Sequence, residues 1–164
     1  MAIISIKNAK PYSTHAKALN DVFGFDYKQH VKASKAISKT QWVVFFNLAE
    51  EDANGVWKPP RKNVNWLNIP AKDGSAFAQI ELNKKDDSYF ENVNPVYNNA
   101  VFMWRKGKNN KYAYYFYGIF KRTCVNEEIG LSIYERSAIK LNTDEWKPKK
   151  PVRKKSAIRK IKKK

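Results

Sequence analysis

Residues 111–121 read Lys-Tyr-Ala-Tyr-Tyr-Phe-Tyr-Gly-Ile-Phe-Lys, a run too aromatic and β-branched for anything but a long strand. The preceding run, Ala100-Val-Phe-Met-Trp-Arg105, is separated from it by Lys106-Gly-Lys-Asn-Asn110, a Gly- and Asn-containing loop of the kind that joins antiparallel partners. A hairpin of 100–105 with 111–121 is therefore the first expected contact. Gly118 interrupts the long strand and marks a bend or bulge. Simple alternation puts Tyr112, Tyr114, Phe116 and Phe120 on one face and Ala113, Tyr115, Tyr117 and Ile119 on the other. Both faces are then aromatic, so one packs on the core and the other covers a helix or forms a cleft.

Working outward, 42–48 (Trp-Val-Val-Phe-Phe-Asn-Leu), 76–82 and 130–136 read as further strands, giving a five-stranded sheet. Residues 13–24 place Ala16, Leu19, Val22 and Phe23 on one helical face, with Ser13 as the expected cap and Gly24 as the stop. Residues 28–38 are open between a short helix and a polar loop. With so little helix between strands, a βαβ sheet is disfavoured. The expected class is α+β: a bent antiparallel sheet or small barrel carrying an N-terminal helix.

The 164 residues suit one domain with an appendage, and 43% hydrophobic content with five Trp supports a real core. Lys and Arg number 32 against 15 Asp and Glu, a formal net charge of +17 that points to a polyanionic partner. Eleven of those basic residues lie in 147–164, which holds no acid. This divides the chain into a domain, 1–146, and a basic tail, 147–164, expected to be extended because Pro148 and Pro151 oppose helix and its charges repel. The tail reads as a phosphate clamp, strong in affinity and poor in specificity.

Other chemistry has little support. The lone Cys124 excludes an internal disulfide or a cysteine-based zinc site and lies in no nucleophile elbow; His15 and His30 have no metal-ligand spacing. No apolar run nears the ~18 residues of a membrane span, and Met1–Lys7 lacks a signal-peptide pattern. A cytoplasmic or nucleoid-associated protein is expected, nuclear only in a host with a nucleus. The best enzyme candidate is an Mg²⁺-dependent nuclease using Asp73, Glu81 and Lys84, with an imperfect spacing, since a D…E-x-K pattern wants Lys where Asn83 stands.

Trp66-Leu67-Asn68, Asp73-Gly74, Val101-Phe102, Tyr115-Phe-Tyr-Gly-Ile-Phe-Lys121 and Ile133-Tyr-Glu-Arg-Ser-Ala138 together resemble the PUA-like β-barrel modules found with restriction nucleases and helicases, a group that includes the SRA and EVE domains. The resemblance covers roughly 65–140. It implies a bent barrel that reads modified or flipped bases in a concave aromatic pocket and performs no catalysis itself. No nuclease or helicase module accompanies this chain, so an effector encoded separately would supply any output.

The resulting expectation is a non-enzymatic nucleic-acid-binding protein, with DNA favoured over RNA. Its contact residues are Trp66, Trp104, Arg105, Tyr117, Lys121, Arg122 and Arg136, with Lys149, Lys150, Arg153, Lys154, Lys155, Arg159 and Lys160 from the tail. Besides the nuclease, the alternative is a protein-interaction module of phage or host defence.

Overall fold

A computed structural model describes residues 2–82 and 97–148. Seven strands form the main sheet: β2 (Ser34–Ala36), β3 (Gln41–Asn47), β6 (Trp66–Pro70), β7 (Ala76–Glu81), β8 (Asn98–Lys106), β9 (Tyr112–Asn126) and β10 (Leu131–Ala138). Their order is β2-β3-β8-β9-β10-β7-β6. Two small ladders lie outside it, β1 (Ile3–Ser5) with β11 (Lys140–Asn142) and β4 (Glu50–Glu51) with β5 (Trp57–Lys58). The class is α+β, a bent sheet with one α-helix against it, as the sequence leads one to expect.

The β8–β9 hairpin forms as expected, with Trp104 opposite Tyr114 and Gly107 N–H donating to Lys111 O at 2.8 Å. One strand pair departs from the antiparallel expectation. β3 runs parallel to β8, from Gln41 opposite Asn98 to Asn47 opposite Trp104, because the intervening chain makes the β6–β7 hairpin and returns before β8 begins. The sheet also curls until its two sides touch: Ala49 N–H donates to Asn68 O at 2.9 Å, and the Asn68 side-chain amide donates to Asn47 O at 2.9 Å. The inner face thereby becomes a barrel-like interior.

α1 (His15–Phe23) is capped one residue later than expected. Thr14, not Ser13, accepts from Lys17 N–H, and Gly24 closes the helix at φ +73°. The ambiguous stretch 28–38 becomes loop plus the edge strand β2.

Ala18, Leu19, Val22 and Phe23 of α1 pack on Val43, Phe45, Ala100, Phe102, Tyr114, Phe116 and Ile119. Trp146, 4% exposed, belongs to this core, its ring 6.4 Å from Phe23. The inner face holds Val44, Val101, Met103, Phe77, Phe120 and Tyr134. Phe120 therefore shares the face of Tyr117, while Ile119 shares that of Tyr114 and Phe116, the reverse of simple alternation. The cause is the bulge foreseen at Gly118: the register slips between Val101 and Phe102, Phe116 faces Phe102, and Gly118 faces Val101. One extra residue in the strand changes the phase of every side chain beyond it.

Gly118 has φ +130°, and a Cβ there would lie 2.9 Å from Arg136 Nε and 3.0 Å from Ala138 O. No other residue fits without displacing β10.

Candidate nucleic-acid interface

Beside the Gly118 bend, cations and rings from β8, β9, β10 and the β6–β7 turn border the inner face, a region we call the mouth. The turn is locally determined. Asp73 Oδ1 accepts from Ser75 N–H at 2.9 Å and from the Ser75 hydroxyl at 2.6 Å, an arrangement that fixes the chain before Gly74 at φ +72°. These bonds hold the exposed Asp73 carboxyl below its usual range, the nearby Arg136 charge adding to the effect.

Arg136 is anchored to this turn by its backbone, N–H to Ser75 O at 2.7 Å, and its Nη2 donates to Tyr117 O at 2.9 Å. Its guanidinium lies 5.1 Å from the Tyr117 ring centroid and 5.3 Å from that of Phe120. Arg136 Nε is buried against Gly118. Burial pushes the Tyr117 phenol up, with the Arg136 and Arg105 charges opposing that shift. Arg105 in turn stacks 4.1 Å over Tyr115. The mouth thus alternates cations and rings, with Asp73 as its one carboxylate in the turn, and can offer a planar anion or a base both stacking surface and hydrogen-bond donors.

Deeper in, the interior turns polar. Gln79 Nε2 donates to Asn68 Oδ1 at 3.0 Å, and Arg122, 4% exposed, donates to Ser132 Oγ while lying 5.8 Å from the Tyr134 ring. Arg122 is therefore an interior residue, not a surface contact.

The expected contact residues do not form one site. Tyr117 and Arg136 stand together beside Gly118, and Arg105 lies further along the same face, over Tyr115. Trp66 stands at the other end of β6, opposite Glu81 in register. Trp104 lies on the outer face, because β8 alternates and its neighbour Arg105 takes the inner one. Lys121 is exposed on β9, opposite Glu135. Lys149, Lys150, Arg153, Lys154, Lys155, Arg159 and Lys160 lie outside the described residues, as does Lys84. Asp73 lies in the turn before β7 and Glu81 is that strand's last residue, so on the order of 20 Å of strand at about 3.3 Å per residue separates them and they do not share a site. Among the described residues, no three His, Cys, Asp or Glu gather to hold a metal ion. None of their helices is long and apolar enough to cross a membrane.

Around Trp104 the structure builds a cluster that includes a residue sequence reasoning missed. Arg61, from the loop after Pro59-Pro60, lies 3.9 Å over the Trp104 ring, and donates to Asn47 Oδ1 at 2.7 Å and Tyr114 Oη at 3.1 Å. Tyr114 Oη is 2.8 Å from His15 Nε2, and His15 Nδ1 is 2.9 Å from Val31 O. Since a carbonyl only accepts, Nδ1 carries the proton and Nε2 accepts from Tyr114. The chain runs Arg61 to Tyr114 to His15 to Val31 and needs a neutral imidazole. Burial accordingly lowers the His15 pKa, with the His30 and Arg61 charges adding to it.

No protein-family model and no curated protein matches the chain. Its fold does have a solved counterpart. The structure is similar to that of the 5-hydroxymethylcytosine-specific restriction enzyme AbaSI, with a TM-score of 0.63 and 19% identity, over 90% of this chain and 44% of the other. This chain spans less than half the length of that enzyme.

Proposed function

We propose that this chain is a non-enzymatic nucleic-acid-binding protein, with DNA its ligand ahead of RNA, in a restriction-associated role. The observation that carries the reading is the mouth itself. Arg105 over Tyr115 and Arg136 over Tyr117 and Phe120 set cations against rings on one face of the sheet. A base entering there gains stacking worth about 1–3 kcal/mol and meets charged donors at its edge.

The fold shared with AbaSI supports the restriction association, and that enzyme's specificity makes 5-hydroxymethylcytosine the first modified base to test. Cleavage is not carried across from it. The neighbour is matched over only 44% of its length.

In this reading residues 1–146 supply selectivity and 147–164 affinity. The tail carries eleven of the chain's 32 basic residues and rewards any phosphate backbone. A DNA partner puts the protein in the cytoplasm or at the nucleoid.

The test is binding to single- and double-stranded DNA and RNA across a salt series. The full chain is compared with one in which Lys149, Lys150, Arg153, Lys154, Lys155, Arg159 and Lys160 are changed to Gln. The neutralised chain should lose affinity for every ligand and flatten the log–log salt slope from roughly −5 or steeper, while keeping its order of preference. Loss of that order together with the affinity would end the division of labour.

A further inference from the structure

We propose that a cavity beside the mouth is a second nucleotide site, taking one nucleotide of the strand whose base the mouth reads; this rests on the nucleic-acid-binding reading above. The cavity has a volume of about 320 Å³ and lies between the segment leading into α1 and the β8–β9 hairpin. That is the small end of ligand pockets, about 300–1,000 Å³, and suits a single nucleotide rather than a duplex.

Its lining fits that ligand chemically. Three tyrosines, Tyr12, Tyr112 and Tyr115, supply ring surface, and Lys17 and Lys111 supply charge, with no carboxylate among the lining residues. The two nearest acids are already engaged. Asp21 accepts from Tyr12 Oη at 2.6 Å, and Glu50 accepts from Tyr112 Oη. Those bonds fix the two rings and turn both carboxylates to the tyrosine hydroxyls, while Lys17 and Lys111, both exposed and without an ion-pair partner among the described residues, are the cations of the lining. Aromatic walls with ammonium groups at the rim match a base joined to a phosphate, and match neither a cation nor a purely apolar guest.

Continuity with the mouth is the second argument. Tyr115 lines the cavity and also lies beneath Arg105, whose charge acts on Tyr117. Its ring crosses the hairpin where Gly107 leaves room; a Cβ at that position would overlap Tyr115 Oη. One tyrosine is thus shared by the cavity and the Arg105 cation that borders the mouth.

The test titrates the full chain with thymidine, thymidine monophosphate and an oligothymidylate of ten nucleotides. Affinity is followed across a salt series, and contacts are mapped by photocrosslinking a 4-thiothymidine version of the oligonucleotide. Lys17→Ala/Lys111→Ala is the test variant, and an unchanged melting temperature shows that it folds.

We expect thymidine monophosphate to bind in preference to thymidine, and the oligonucleotide to bind more tightly than either. Crosslinks should fall on peptides containing Tyr12, Tyr112 or Tyr115. The double variant should weaken oligonucleotide binding and lower the magnitude of its salt slope by about 0.7, the value for one phosphate contact on a single strand. Its preference among bases, which Arg136→Ala abolishes, should persist.

Unchanged affinity and slope in the variant, with no crosslinks in these segments, would overturn the proposal even if the mouth discriminates bases. Monophosphate binding that depends on both lysines, in a chain indifferent to oligonucleotides, would assign the cavity to a free nucleotide. That outcome would overturn its place on the strand and, separately, the nucleic-acid reading.

Discussion

On its outer face the sheet meets α1 through Val43, Phe45, Ala100, Phe102, Phe116 and Ile119, while its inner face passes from Phe77, Phe120 and Tyr134 to Arg122, Ser132, Gln79 and Asn68. Both faces are aromatic and both are buried, yet only the inner one commits charged and amide side chains to the interior. Burying such groups costs stability unless each is hydrogen-bonded, and the outer face shows that this sheet can pack without them. The difference separates two uses of the same residue types. Outside, Arg61 covers the Trp104 ring and joins Tyr114 and His15 in one chain of hydrogen bonds. Inside, the Arg136 guanidinium lies over Tyr117 and Phe120 and donates to Tyr117 O.

Truncating a packed ring breaks the comparison most severely. Phe102→Ala on the outer face and Phe120→Ala on the inner should each cost about 3–5 kcal/mol in urea denaturation, since both are fully buried. A much smaller loss for Phe120 would mean that the inner face is loosely packed.

Gly118→Val tests the point where the strand changes face. Its positive φ and the contact with Arg136 Nε and Ala138 O make the substitution strained, at a cost on the order of 1–3 kcal/mol, and binding should suffer with stability because Arg136 must move.

Arg136→Ala sharpens the contrast instead. Discrimination among bases should disappear with little change in the denaturation midpoint, whereas Arg61→Ala should lower the midpoint and leave discrimination intact.

The smallest effect is that of pH. The folded state keeps His15 neutral, with a pKa below the ordinary 6.5, so the unfolded chain binds the extra proton. Stability should be complete above pH 6.5, fall as the pH drops from there towards the lowered value, and level off below it. His15→Gln should flatten that slope in denaturation midpoints measured between pH 7.5 and 5.

Much of the fold was legible because it depends on local pattern. The hairpin announced itself through Gly107 and the Asn pair, the helix through its apolar face and Gly24, the bulge through a lone glycine in an aromatic strand. The consequence of the bulge was not legible. Which face Phe120 takes depends on where the extra residue is accommodated, and that is decided by the Arg136 side chain and Ala138 backbone packed against Gly118.

The site was legible in its residue types and not in its grouping. Tyr117 and Arg136 come together because β9 and β10 are neighbours, whereas Trp104 is kept from the face of Arg105 by strand parity alone. Trp66 is excluded by the direction of β6. Arg61 left no signal at all, since a loop arginine reaches Trp104 only through tertiary structure. The parallel β3–β8 pairing was likewise hidden, because pairing direction depends on the crossover between the strands rather than on either sequence.

The claim that the inner-face mouth reads a base is tested most directly by competition among otherwise identical duplexes carrying cytosine, 5-methylcytosine or 5-hydroxymethylcytosine, for the full chain and for Tyr117→Ala, at one fixed salt concentration. The account predicts that the full chain ranks the three and that Tyr117→Ala binds them equally, with the salt slope of the tail unchanged. Equal binding of all three by the full chain, or an intact ranking in Tyr117→Ala, would contradict it.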